Sequence, residues 1–181
     1  MKKLFALLAL TGSLLIISPS LKAQEQTNCA GRMLYSELGG PGVVMSLNWD
    51  ARFKSHARLG FGYRVGVGVG IGDVEVEHGE YYSETRTRAY YTIPVGVNYV
   101  LGKPGTASTF EVGASATFLT RKVSLYDYDE DKRGHFIGTL AFMYRIIPEN
   151  GGFAFRVGFT PMIGTAGDFF PMAAISFGYA F

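Results

Sequence analysis

LGFGYRVGVGVGI, residues 59–71, sets Leu59, Phe61, Tyr63, Val65, Val67, Val69 and Ile71 at every second position, with Gly60, Gly62, Arg64, Gly66, Gly68 and Gly70 between them. A strand has this period of two and an α-helix does not. One face of the strand is large and apolar, and the other is nearly bare apart from a single guanidinium. The spacing predicts a sheet whose two faces meet very different surroundings.

Outward from this segment, turn residues divide the chain into eight alternating stretches, at 33–39, 42–53, 58–71, 88–101, 109–120, 134–146, 152–164 and 170–181. Most reach the about 9–11 residues that a tilted strand needs to cross a bilayer. The apolar set of the second stretch is Val43, Met45, Leu47, Trp49, Ala51 and Phe53. In the last it is Ala173, Ile175, Phe177, Tyr179 and Phe181. Gly39-Gly40-Pro41-Gly42 is either a tight turn or a bulge, because both use glycine alike; an even strand count favours the turn.

The connections alternate in length. Residues 54–57, 102–108 and 147–151 are short, whereas 72–87 and 120–133 are long and charged. Outer-membrane barrels have short periplasmic turns and longer external loops. With both termini in the periplasm, eight strands place the short turns inside and the charged loops outside.

Alternation alone also fits a soluble barrel with its apolar face inward. The lysines after residue 23 separate the two: Lys54, Lys103, Lys122 and Lys132 all fall in expected turns or loops, where a water-facing wall would carry charges along its strands. Aromatic residues gather toward strand ends. Trp49, Phe53, Tyr99, Phe110, Tyr144, Phe153, Tyr179 and Phe181 are expected at the periplasmic rim, and Tyr91, Phe118, Phe136, Phe169 and Phe170 at the outer one, as two girdles.

Lys2 and Lys3 precede an apolar run to Ser18, followed by Leu21-Lys22-Ala23, which reads as a cleaved signal peptide over residues 1–23. A short N-terminal tail, 24–32, then leads into a barrel at 33–181. Cleavage reduces 17 basic residues to 14 against 15 acidic ones and moves the formal net charge from +2 to −1. A nucleic-acid partner would call for a basic surplus. Cys29, the single cysteine, forms no intramolecular disulfide.

The inward face carries charge: Glu37, Asp50 and Glu111 against Arg52, Arg64, Arg145 and Arg156. An arginine facing lipid at the bilayer midplane costs about 2–4 kcal/mol, so Arg64 in mid-strand points inward. Buried charges need partners. The seven residues are therefore expected to form a lumenal network with a structural role, and Arg64→Leu to strand an acid.

Three other patterns carry less. The glycines of 60–72 lack the helix start or the Lys-Ser/Thr of a nucleotide loop; they make room for bulky groups opposite or ease coiling. Asp127, Asp129, Glu130 and Asp131 open like a calcium loop, but Lys132 stands where such a loop needs glycine. His78 and His135 lie near Ser83 and Ser124 without a compact nucleophile motif. No catalytic residue, cofactor or metal is assigned.

The chain resembles the small eight-stranded outer-membrane barrel families that include OmpA-type transmembrane domains and OmpX, over residues 33–181. Phe177-Gly178-Tyr179-Ala180-Phe181 is similar to the aromatic-ended final strand that such families present to the barrel-assembly machinery. The resemblance implies an all-β, antiparallel up-and-down transmembrane barrel in the outer membrane of a Gram-negative-type bacterium, surrounded by lipid. It also implies assembly contacts through Phe177, Tyr179 and Phe181. These families include adhesins, anchors and lipid-modifying enzymes, so fold analogy does not choose among them. The expectation is a monomeric, non-enzymatic structural or surface-interaction barrel acting through its charged loops on an unspecified external ligand. A narrow conduit and a lipid-modifying enzyme are the alternatives.

Overall fold

The alternating stretches fold as strands that pair with their neighbours in sequence. A computed structural model describes residues 30–77, 83–123, 134–165 and 167–181. The strands are β1 Arg32–Gly39, β2 Met45–Arg52, β3 Gly60–Glu77, β4 Ser83–Gly102 and β5 Ser108–Val123. They continue with β6 Gly134–Ile146, β7 Gly152–Phe159, β8 Met162–Ile163, β9 Phe169–Phe170 and β10 Ala173–Ala180. Each pairing is antiparallel, and β1 pairs β10 from Met33 opposite Ala180 to Gly39 opposite Ala174. The sheet thereby closes without a free edge. The chain is an all-β, closed antiparallel barrel of eight walls, the seventh built from β7 and β8 and the eighth from β9 and β10.

These two divided walls break at proline. Ala173 faces Phe159 and Met162 faces Phe170 in one continuous register, which sets Pro161 opposite Pro171. Neither residue has an amide hydrogen for the ladder. The Thr160 amide donating to the Met172 carbonyl (2.6 Å) and the Leu140 amide to that of Pro161 (3.1 Å) carry the sheet across the gap. The unbroken strands expected over 152–164 and 170–181 are corrected accordingly. Phe170, expected on the outer aromatic rim, packs instead against an interior cluster of Tyr90, Leu119, Ile137 and Met162.

The charged stretch 72–87 is mostly sheet rather than loop, since β3 and β4 pair as far as Glu77 opposite Ser83. β5 likewise reaches Val123, opposite Gly134, past a register shift after Phe118, so Lys122 lies in a strand. An antiparallel hairpin needs no apolar face once its neighbour satisfies its backbone. Arg32, expected in the tail, opens β1. The expected signal peptide, Cys29, His78 and residues 124–133, with their four acidic side chains, lie outside the described residues.

The first connection is a turn, and it folds inward. Gly39 and Gly40 have φ of +74° and +68°, which glycine adopts at little cost. Gly40, Pro41 and Gly42 are buried and lie against β3, β4, β5 and β6. Thr117 Oγ1 donates to the Pro41 carbonyl (2.8 Å) and Thr92 Oγ1 to that of Gly42 (3.1 Å). Val43, expected on the outer face, has φ +76° and packs on the Tyr90 cluster inside. That conformation strains a β-branched residue, and the parity of the strand is lost there. Thr117→Val preserves shape but leaves the buried Pro41 carbonyl without its donor. It is expected to lower stability by about 1–3 kcal/mol, read from the urea midpoint of the folded barrel.

The rest of the wall keeps its parity. Val67, Val95 and Phe177 point outward and are 63%, 52% and 45% exposed. The interior is apolar at both ends, with Met33, Tyr35, Ile147, Ala154 and Ala180 at the end that carries the short turns, and the Tyr90 cluster at the other. Between them it is ionic. The inward glycines of β3 give the room this filling needs: a Cβ added at Gly62, Gly66, Gly68 or Gly70 would meet Arg52, Asn48, Thr92 or Tyr90 respectively.

Candidate functional site: a buried chain of ion pairs

Strand parity turns Glu37 of β1, Asp50 and Arg52 of β2, Arg64 of β3, Glu111 of β5, Arg145 of β6 and Arg156 of β7 into the lumen, and all seven are buried. They meet as one alternating chain, in the order Arg64, Glu37, Arg156, Glu111, Arg145, Asp50, Arg52. Arg64 lies 2.9 Å from Glu37, and Arg156 lies 3.4 Å from Glu37 and 2.9 Å from Glu111. Arg145 lies 2.6 Å from Glu111 and 3.4 Å from Asp50, and Arg52 closes the chain 2.6 Å from Asp50. Every carboxylate thus sits between two guanidinium groups, and four cations against three anions leave a net +1.

Neutral groups add to the shell, while Arg64 Nε and Nη1, Arg145 Nε and Arg156 Nε find no hydrogen-bond partner among the described residues. Asn98 donates to Asp50 and to Glu111 (3.4 Å), while its carbonyl oxygen accepts from Arg52 at 2.6 Å. Ser176 donates to Glu37 at 3.0 Å, and the Arg156 guanidinium lies 4.4 Å from the centre of the Tyr35 ring. Desolvating a charge costs several kcal/mol, and close, hydrogen-bonded pairing is what repays it. All six oxygens of the three acids are bonded. The arrangement can hold walls together across the lumen.

Residue type alone could not single out Asn98, Ser176 and Tyr35. Their inward parity was the available signal, but a neutral side chain there looks like filling. Arg58 was also missed. Buried at the turn end, it donates to the carbonyls of Ile147 (2.9 Å) and Thr106, tying two of the turns together.

The aromatic strand end lies on the outer surface. Phe177, Tyr179 and Phe181 are exposed; Phe177 packs 5.3 Å from Phe155, and Phe181 meets Trp49 edge-on at 5.5 Å. His135 is half-buried, with Nδ1 3.0 Å from the Leu119 carbonyl oxygen and its ring stacked on Phe118. Among the described residues its hydrogen-bond partner is thus a backbone group rather than a nucleophile, and no cluster of three His, Cys, Asp or Glu is placed to hold a metal. Ser124 and the side chain of Ser83 lie outside the described residues. No family model, curated protein or solved structure matches this chain.

Proposed function

We propose that the protein is a monomeric, non-enzymatic barrel of a Gram-negative-type outer membrane, delivered by its signal peptide and holding both ends in the periplasm. It serves as a structural or surface-interaction element through the hairpins opposite the short turns. One observation carries this reading: the usual arrangement is inverted, with large apolar side chains outside and arginines and carboxylates inside. A soluble barrel would gain nothing from that exchange. The apolar outer band also has the right height. On β3 it runs from Phe61 to Ile71, and on β4 from Tyr91 to Leu101, within the about 9–11 residues of a tilted membrane strand. Beyond it Asp73, Glu75 and Glu77 take over the alternate positions in the sequence. The resemblance of the strand end to OmpA- and OmpX-type barrels supports the same assignment, including contact with the barrel-assembly machinery through Phe177, Tyr179 and Phe181.

The test is heat-modifiable gel mobility in a membrane fraction, and a fully water-soluble periplasmic product would overturn the proposal. Val95 lies outward at the middle of the band, paired with Val65 and Ala116. Val95→Arg is expected to cost about 2–4 kcal/mol when unfolding is followed in lipid vesicles; an unchanged midpoint there would count against a lipid surround. The ion chain and the inward turn at Gly40–Gly42 weigh against a conduit. Planar bilayers are expected to show no stepwise conductance.

A further inference from the structure

At the turn end, where β1, β2 and β10 meet, a pocket of about 350 Å³ opens at the rim, lined by Arg32, Phe53, Lys54, Ser55, His56 and Phe181 together with Gly31 and Arg52, the last link of the ion chain. Its floor follows from the backbone. Arg32 and Phe181 exchange amide hydrogen bonds (3.1 and 2.9 Å), and the turn at 54–57 is closed by the Ala57 amide on the Lys54 carbonyl (3.2 Å). Arg32 precedes inward Met33 and so projects outward, opposite Ala51. Phe53 and Phe181 are both exposed and line the pocket.

The pocket combines two chemistries. Arg32 and Lys54 are exposed, and among the described residues neither has an acidic partner, in contrast to every arginine of the ion chain. The Ser55 hydroxyl and the His56 imidazole add hydrogen-bonding groups beside them. The remainder is aromatic: Phe181 packs on Trp49, and Phe53 lies 5.6 Å from Tyr63, where the apolar band begins. Two unneutralised cations beside exposed aromatic rings complement a ligand that is anionic at one end and hydrocarbon at the other.

We propose that this pocket binds the phosphate of an anionic phospholipid, held by Arg32 and Lys54 with Ser55 and His56 as hydrogen-bond partners, while its glycerol and first acyl carbons lie on Phe53 and Phe181. The inference rests on the membrane reading above. It extends that reading from a general lipid surround to one fixed lipid at the periplasmic rim, with guanidinium and ammonium supplying the charge match.

Trp49 is the only tryptophan in the chain and stands beside the pocket, so its fluorescence reports the occupant. The folded protein is placed in vesicles containing phosphatidylglycerol or phosphatidylcholine brominated near the headgroup, and quenching of Trp49 gives the relative affinity. The anionic lipid is expected to be preferred about fivefold or more. Arg32→Gln with Lys54→Gln should remove the preference, and Lys103→Gln, in a different turn, should preserve it. Equal quenching by the two lipids would overturn the pocket and leave the membrane reading standing, whereas no quenching by either would overturn both. Loss of the preference in Lys103→Gln would reduce it to diffuse surface charge. Inorganic phosphate, equimolar with the anionic lipid, should not displace it; displacement would assign the pocket to a soluble anion instead.

Discussion

Glu111→Gln is expected to destabilise the barrel by about 3–5 kcal/mol, the range for removing one partner of a buried ion pair. Glu111 is the central link of the chain, accepting from Arg145 at 2.6 Å and Arg156 at 2.9 Å through separate oxygens. Glutamine keeps the shape but not the charge. Each arginine is then left with a 3.4 Å contact, to Asp50 and to Glu37 respectively, and the interior carries four cations against two anions. The comparison that makes this specific is Arg64→Leu. Arg64 ends the chain, and without it Glu37 still has Arg156 and Ser176, while three cations match three anions. Its expected cost is smaller, about 1–3 kcal/mol. Urea unfolding of both variants in lipid vesicles checks the ranking, and a reversed order would overturn Glu111 as the central link of the chain.

Gly178→Val is expected to abolish the folded barrel. Gly178 faces Tyr35 across the seam where β10 closes on β1. A Cβ there would collide with the Leu34 carbonyl oxygen and the Tyr35 Cβ, and would lie 2.7 Å from the Tyr35 Cα. Two of these atoms are backbone, so no side-chain rotation relieves the contact; the seam itself must open. The same displacement would move the Tyr35 ring from beneath Arg156. On a gel the variant should run only as the unfolded form with or without heating. Ile175→Val, on the outward parity of the same strand opposite Leu38, should keep the folded band, because the loss of one methylene outside leaves the seam intact.

Most of the wall was legible in the sequence because period two is a local property. Once Phe61 to Ile71 show which face is apolar, Arg64 falls on the other face, and the same parity sorts Glu37, Glu111 and Arg156 without knowledge of their neighbours. Parity fails where the backbone does. Val43 was misassigned because a positive φ reverses its direction, and Phe170 because Pro171 interrupts the strand beside it. The length of the β3–β4 hairpin was hidden for another reason: charged residues at alternate positions look like a loop when only burial is used to recognise a strand. The pairing order of the ions lay beyond local reasoning altogether. Which acid meets which arginine depends on the width of the lumen and on Asn98, a neutral residue between Val97 and Tyr99.

The ion chain also bears on the order of assembly. The arginines that meet Glu37 lie 27 and 119 residues away in sequence, and Asp50 and Arg145 are separated by 95. No single hairpin can match these charges, so a half-built sheet holds unpaired guanidinium and carboxylate groups that an apolar medium rejects. Contacts so distant in sequence form slowly. A chain with one wall out of register would reach the closing of β1 on β10 with its charges mismatched, and only the complete barrel sets each carboxylate between two guanidinium groups.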